Sequence, residues 1–253
     1  MTRGALTLGL VIAGLIALGG PAMAQSLTLS PAVVPLGGRP GQSTSQRLTL
    51  FNGTSYPMSF ALVAKDVVVR DGARVFVDAG ETRGSIAATA VFSTRTVRLG
   101  PGEDRSVEVT LTLPAQMTSR AVVILFQGTS QIGGSTTMSI GSLLTFEVSA
   151  RVSVSPGELV AAPPSASSNA GFTVPVVNDG SEPAIVRGAA VIVAGNGGII
   201  GKVNFDARRL LPTERTALQA DYPGELPRGS YRVIATIEGA KHAWTRTTEL
   251  TVP

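Results

Sequence analysis

Few residues of this chain have the types and the spacing that catalysis or metal binding requires. His242 is the only histidine and there is no cysteine, so a zinc site would need carboxylate ligands, which is rare. No Gly-x-Ser-x-Gly segment is present to place a nucleophilic serine beside His242. The glycine-rich stretch 195–198 lacks the lysine and the strand–helix context of a phosphate-binding loop. We therefore expect a protein that is not an enzyme, with no catalytic residue, no metal site and no cofactor.

The acidic residues leave one alternative open. They are scattered singly, apart from Glu103–Asp104 in a turn. A calcium site at this pair or at Asn178–Asp179 is conceivable from the residue types, although neither pair belongs to the Asp-x-Asp-x-Asp loop that calcium prefers. The simpler interpretation is that both pairs are solvated turn residues.

The charge pattern argues against a nucleic-acid partner. The formal net charge is +4 with only 15% charged residues, and no run of five or more basic residues occurs. Basic clusters interleaved with aromatic residues are typical of nucleic-acid binding, and this chain has none. Without cysteine there can be no disulfide, so packing alone must stabilise the fold.

The N-terminus has the three parts of a secretory signal peptide. Arg3 precedes the apolar stretch 5–18, and Ala22-Met23-Ala24 forms a small-residue cleavage site. The apolar stretch is shorter than the roughly 20 residues that span a bilayer. We expect residues 1–24 to be removed, and the mature chain to be exported to the periplasm with no membrane span. An uncleaved N-terminal anchor is the alternative.

A turn motif occurs twice in the remaining sequence. Phe51-Asn52-Gly53-Thr54-Ser55-Tyr56-Pro57 has the same pattern as Val177-Asn178-Asp179-Gly180-Ser181-Glu182-Pro183. Each copy stands between apolar, strand-like runs and is followed by a leucine-rich turn, at 99–102 and at 211–213. A repeated turn at matching places indicates two similar domains in tandem.

Short Val/Thr-rich runs separated by Gly and Pro predict strands throughout. In the first domain we expect strands at 27–34, 47–52, 58–69, 74–77, 90–92, 96–99, 106–113, 121–127 and 138–154. In the second we expect them at 158–160, 171–178, 185–193, 199–205, 216–219, 230–237 and 245–252. The predicted fold class is all-β, with two tandem immunoglobulin-like β-sandwich domains at 25–154 and 155–253 after the signal peptide.

The strand predicted at 138–154 is unusually long, since five or six residues are typical. Its apolar residues alternate, and the row on one side includes Ile140, Leu144, Phe146 and Val148. Such a row could belong to a surface for β-strand addition, in which backbone hydrogen bonds give affinity and alternate side chains give specificity. The alternative is that the row fills the core of its own sandwich.

A set of short motifs carries a family resemblance. They are Leu27–Pro31, Leu50–Asn52 before Ser55–Pro57, Leu99–Gly102 and the strand Leu144–Pro156. Their order and spacing resemble those of the periplasmic chaperones of the chaperone–usher pilus-assembly pathway, over most of residues 27–156. This resemblance implies two immunoglobulin-like domains in an L shape, in which the last strand of the first domain completes the fold of a pilin subunit.

The resemblance also implies site residues. The donor row would contain Leu144 and Phe146, with Ser142 and Ile140 further along, and Arg151 would bind the C-terminal carboxylate of the subunit. This chain departs from the family in three respects. Pro31 or Ala32 stands where the family has a second carboxylate-binding arginine, and Ser142 is small for a donor position. Ser155 stands where the family usually has a basic residue, just before the strand-ending proline.

These observations lead to two hypotheses. The first is a non-enzymatic periplasmic chaperone-like protein that binds an exported pilin-like or other β-rich subunit by strand donation, with an outer-membrane usher as a further partner. Its client-binding residues are Ile140, Leu144, Phe146, Val148 and Arg151. The second is a structural or adhesive immunoglobulin-like protein of the envelope or cell surface, without a chaperone cycle.

Overall fold

A computed structural model describes residues 26–130, 136–149 and 151–253. The predicted signal peptide, residues 1–24, lies outside these residues. The all-β prediction is confirmed: within the described part of the chain, strands account for nearly all regular structure, and the only helix is a single 3-10 turn at Ala87–Thr89.

The strands before residue 148 form one sandwich. They are β1 (Leu27–Ser30), β2 (Val33–Gly37), β3 (Ser43–Asn52), β4 (Met58–Arg70), β5 (Ala73–Asp78), β6 (Val91–Phe92), β7 (Thr96–Leu99), β8 (Asp104–Thr112), β9 (Ala121–Ser130) and β10 (Thr136–Glu147). One sheet has the order β1-β3-β8-β6. The other has the order β2-β10-β9-β4-β5, with β7 also paired to β4.

The strands after residue 154 form a second sandwich. They are β11 (Ser155–Pro156), β12 (Val160–Ala162), β13 (Ala170–Val177), β14 (Ala184–Ala194), β15 (Ile199–Leu210), β16 (Arg215–Tyr222), β17 (Gly229–Gly239) and β18 (His242–Val252). In one sheet β13 pairs with β11, β12 and β16, and the other sheet has the order β15-β14-β17-β18. Both sandwiches follow the strand arrangement of an immunoglobulin-like fold.

Alternating apolar residues build a core in each sandwich. In β8, Val107, Val109 and Leu111 are buried, as their spacing predicts. Leu113, just beyond the end of β8, is buried in the same core. The second core lies between the two sheets of the other sandwich and contains Val174, Ile192 and Val233 among others.

The repeated turn motif has the same geometry in both copies. The buried Asn52 side chain donates to the carbonyl oxygens of Tyr56, at 2.7 Å, and Leu99, at 3.3 Å. The buried Asn178 side chain donates in the same way to Glu182 O, at 2.8 Å, and Leu210 O, at 3.1 Å. Each asparagine therefore joins its own turn to the following leucine-rich turn.

The leucine-rich turns also match. Gly102 N donates to Asn52 O at 2.7 Å, and Thr213 N donates to Asn178 O at 2.8 Å. The sequence repeat is thus a structural repeat in which corresponding atoms make corresponding hydrogen bonds.

The strand predicted at 27–34 is divided in the structure. β1 pairs with β3 in one sheet, whereas β2 pairs with β10 in the other, in parallel. The chain changes sheets at Pro31 and Ala32, between the two strands. This change of sheets determines how much of β10 is covered.

Candidate functional site: the open edge of β10

β10 is paired along most of its length on one side only. It pairs with β9 from Thr136 to Thr145. On its other side β2 covers only Leu143–Glu147. Among the described residues no strand pairs with this side of the segment 136–142, which we call the open edge. An uncovered strand edge presents backbone donors and acceptors to any added strand.

The register shows which peptide groups point outward at the open edge. Phe146 N donates toward β9, to Arg120 O at 2.8 Å. Leu143 N donates in the opposite direction, to Ala32 O at 2.9 Å. Because backbone groups alternate along a strand, the N–H and C=O of Thr137, Ser139 and Gly141 point away from β9. The open edge therefore offers three residues for pairing.

The structure places two of the predicted client-binding residues in the core. Leu144 and Phe146 are 0% exposed and belong to the first core. A client cannot contact them while the sandwich is closed, and the donor role expected of them stays a prediction. The periodicity correctly gave the face of the strand, but this face is covered by the opposite sheet of its own sandwich.

Ile140 and Val148 lie at the margins of the same row. Both are partly buried and pack against the first core, as does Met138. Ile140 and Met138 belong to the open edge and lie where no β2 residue pairs with β10. Of the predicted apolar residues, Ile140 is therefore the one placed beside unpaired backbone.

Ser142 is small because it has a structural role. Its hydroxyl is buried and donates to Pro31 O at 2.7 Å, where the chain passes from β1 to β2. The Thr145 hydroxyl donates to Val34 O at 3.5 Å. These two side chains hold β2 against the second half of β10, so the departure from an apolar donor row fixes the limit of the open edge.

The prediction of a strand extending to Val154 is wrong, because β10 ends at Glu147. The Glu182 carboxylate of the second sandwich is completely buried and accepts from Val148 N at 2.9 Å and from the Ser149 hydroxyl at 2.9 Å. Arg120 Nε lies 3.5 Å from the same carboxylate. These contacts take the hydrogen-bonding groups that would otherwise continue the strand.

Arg151 consequently lies in the connection between the sandwiches and not on a strand. Arg151 is exposed, and its carbonyl oxygen accepts from Ser181 N at 3.2 Å. Within the described residues, no hydrogen bond or ion pair engages its guanidinium group. It is available for an external anion, but it lies beyond the end of the strand that was expected to carry it.

Four arginines that sequence reasoning missed lie around a cleft of about 460 Å³ between the sandwiches: Arg74, Arg208, Arg209 and Arg215. Val33 of β2 and Leu143 of β10 line the same cleft. Two carboxylates balance part of the charge, since Arg74 Nε lies 2.8 Å from Glu214 and Arg209 Nη1 lies 3.4 Å from Glu147. Arg74 also donates to Arg209 O.

These arginines come from β15, β16 and the β4–β5 hairpin, so their proximity depends on the arrangement of the two sandwiches. The only local signal was the adjacent pair Arg208-Arg209. Since the cleft has two more arginines than carboxylates, it favours an anionic group.

The alternative sites have ordinary structural surroundings. His242 is exposed at the start of β18, and its ring centroid lies 5.9 Å from that of Trp244. The pKa of Asp179 is lowered by hydrogen bonds from the Ser153 and Ser155 side chains, which stabilise its charged form. Within the described residues, no three His, Asp or Glu side chains are grouped to hold a metal ion. The same residues contain no helix with the length and apolarity needed to span a membrane.

Comparisons with known proteins find similarity in structure only. The sequence matches no family model and no curated protein. The fimbrial chaperone CfaA is 14% identical, over 90% of this chain and 100% of its own, with a TM-score of 0.43. A chain of the Salmonella enterica SafA pilin–SafB chaperone complex is 13% identical, with coverages of 88% and 97% and a TM-score of 0.43.

The E. coli chaperone DraB is likewise 13% identical, with coverages of 90% and 97% and a TM-score of 0.39. The matched structures are mostly chaperones by name.

Proposed function

We propose that this chain is a non-enzymatic, chaperone-like protein that binds an exported β-rich, pilin-like subunit by strand addition at the open edge of β10. The observation that carries this proposal is the absence of a β2 partner along 136–142, while the rest of β10 is paired on both sides. An added client strand would continue the sheet from the point where β2 leaves it. Main-chain hydrogen bonds to Thr137, Ser139 and Gly141 would supply affinity.

Apolar contact would add to these hydrogen bonds. Met138 and Ile140 are only partly buried where they pack against the first core. A client residue covering them would gain roughly 25 cal/mol for each Å² of apolar surface removed from water. Leu144 and Phe146 would contribute by holding β10 rigid, and Val148 by packing at its end.

An anionic group of the client would find cationic partners near the far end of β10. Arg151 has a free guanidinium group, and the cleft beside Leu143 contains Arg208, which is exposed and has no ion pair among the described residues. Arginine can bind a carboxylate through two parallel hydrogen bonds. We assign the anchoring of a client carboxylate to this region, with Arg151 as the residue predicted from sequence.

The proposed location is the periplasm, reached through cleavage of the leader at residues 1–24, with an outer-membrane usher as a further partner. The leader's composition supports export. The absence of cysteine is compatible with an oxidising compartment, because no thiol can mispair there.

The test is to block the open edge without altering the core. Ser139 is exposed and its N–H points outward, so Ser139→Pro removes one outward donor, and proline is tolerated on strand edges. Ser139→Thr keeps the donor and is the matched control. The mature proteins are purified from the periplasm of native cells, and associated proteins are identified by mass spectrometry.

We expect a stoichiometric small β-rich subunit with the wild type and with Ser139→Thr, and none with Ser139→Pro. Thermal melts of the three proteins should coincide. A wild type that elutes alone after mild crosslinking, or a subunit equally retained by Ser139→Pro, would refute strand addition at this edge.

A structural or adhesive envelope protein is the second candidate. The burial of Leu144 and Phe146 favours it, because a protein without a client uses its whole apolar row as core. In such a protein the open edge would have no strand partner in native cells. The purification above therefore distinguishes the two candidates, and a neighbouring usher gene would favour the first.

A further inference from the structure

The turn end of the second sandwich forms the junction between the two sandwiches. Leu211 is buried against Val67, Ala121 and Val123 of the first sandwich. Glu182, from the repeated asparagine turn, caps the end of β10, and Glu214 pairs with Arg74 at 2.8 Å. One end of an immunoglobulin-like unit thus docks on the outer face of the β4-β9-β10 sheet of another.

The matching turn end of the first sandwich is free. Tyr56 occupies the position that Glu182 has in the second copy of the motif, and it is 42% exposed. Phe51, just before Asn52, is also exposed. Two exposed aromatic residues on one end are typical of a protein interface. Within the described residues neither ring is covered by another sandwich.

Glu103 makes one of the two contacts that Glu214 makes. Glu103 Oε2 accepts from Gly100 N at 2.8 Å, as Glu214 Oε2 accepts from Leu211 N at 2.7 Å. The other oxygen of Glu214 binds Arg74. In the described part of the chain, the other oxygen of Glu103 has no such cation.

The outer face of the β14-β17 sheet corresponds in register to the face where Leu211 docks, although Val193 at its centre is only 8% exposed. Val193 stands at the same distance after Asn178 as Val67 does after Asn52. Beside it, Val191 pairs with Ile234 as Lys65 pairs with Val123. Val191, Val193 and Ile234 lie on the outer side of their sheet, because the core of the second sandwich contains the alternate residues of β14 and β17.

An exposed isoleucine enlarges this face. Ile199 pairs with Val193, which places it on the same outer side, and it is 74% exposed. Lys202 and Arg232 border the patch, since they pair with Val191 and Val193. Arg232 in turn pairs with Glu249 of β18, so the face has two cations and one carboxylate beside its apolar residues.

We propose that this chain self-associates head to tail. The turn end of the first sandwich, with Tyr56 and Phe51, docks on the β14-β17 face of the second sandwich of another copy. The free oxygen of Glu103 then pairs with Lys202 or Arg232, as Glu214 pairs with Arg74 within the chain. A head-to-tail contact uses two different surfaces and leaves one of each free, so it generates open chains. This inference does not depend on the proposed chaperone function.

The test is sedimentation of the mature protein over a range of concentrations. The wild type should show an average mass that rises with concentration beyond that of a dimer, and less so at high salt. We call the turn end of the first sandwich the head and the β14-β17 face of the second sandwich the tail. Tyr56→Asp disrupts the head, and Ile199→Asp disrupts the tail. Each variant alone should be monomeric.

An equal mixture of the two variants is the decisive sample. Tyr56→Asp retains an intact tail and Ile199→Asp retains an intact head, so the mixture should form a one-to-one dimer and nothing larger. Val91→Asp is the matched control, because Val91 is an exposed apolar residue paired with the opposite end of β8. It should associate as the wild type does.

Three outcomes would overturn the proposal. They are a wild type that stays monomeric at millimolar concentration, a mixture that fails to dimerise although both variants melt like the wild type, and loss of association in Ser139→Pro. The last would place the contact at the open edge of β10.

Discussion

Single buried amides explain why the repeated turn motif exists. Asn52 and Asn178 each satisfy two or more carbonyl oxygens that belong to different turns. A side chain with both donors and an acceptor is required, since Asn52 Oδ1 also accepts from Thr54 N and Asn178 Oδ1 from Gly180 N. Aspartate lacks the donors and alanine lacks both functions. The chemistry of this one residue therefore predicts the turn.

We expect Asn52→Ala and Asn178→Ala each to lower the free energy of unfolding by roughly 2–3 kcal/mol, because buried carbonyls lose their donor. Asn204→Ala is the control, since Asn204 is an exposed residue of β15, and it should change the value by less than about 0.5 kcal/mol. Urea denaturation measures all three. Equal small effects at all three positions would show that the buried amides are not structural.

At the scale of elements, the sequence predicted strand type and facing better than strand ends. The alternation of β8 and of β10 correctly gave the inward rows, because residues two apart share a face. The same alternation continues past Glu147 in the sequence, yet β10 stops there. The cause is Glu182, which is distant in sequence and takes the backbone donor of Val148. No local pattern contains that contact.

The candidate site, like the strand ends, could be predicted only in part from local sequence patterns. Periodicity identified the row of Leu144 and Phe146, but an apolar row looks the same whether its own core or a partner covers it. The open edge depends on where β2 leaves β10, which the Ser142–Pro31 hydrogen bond fixes. Only the register of the folded sheet reveals this position.

Glu182 offers a test of how an element end is determined. Glu182→Ala removes the acceptor for Val148 N and Ser149 and leaves Arg120 without its carboxylate. We expect a loss of roughly 3 kcal/mol, because removal of one partner leaves the other charge buried and unpaired. Glu182→Gln keeps one acceptor and should lose less.

Arg187→Ala is the control for this comparison. Arg187 and Glu238 are 2.9 Å apart but both are exposed, so their pair should contribute less than about 1 kcal/mol. Chemical denaturation of the three variants ranks them by their loss in free energy of unfolding. If Glu182→Ala costs no more than Arg187→Ala, the cap on β10 has no role in stability.

For the whole molecule, the two sandwiches are joined by an apolar contact framed by polar ones. Leu211 is 1% exposed and lies in a cluster built from residues of both sandwiches. Around it Arg215 N donates to Gly72 O at 2.9 Å, and Arg74 pairs with Glu214. This arrangement places the arginine cleft beside β10, so the relative position of the sandwiches and the candidate site depend on the same contact.

Leu211→Ala should uncouple the sandwiches. Removing a buried leucine costs roughly 2–5 kcal/mol, and here the loss falls on the contact between the units and not on either core. We therefore expect calorimetry to show one cooperative transition for the wild type and two for Leu211→Ala. Leu218→Ala is the matched control, because Leu218 is equally buried but lies within the second core. It should lower the temperature of a single transition without dividing it. A single transition in Leu211→Ala, shifted like that of Leu218→Ala, would mean that the polar frame alone couples the sandwiches, and the arginine cleft would then keep its shape without Leu211.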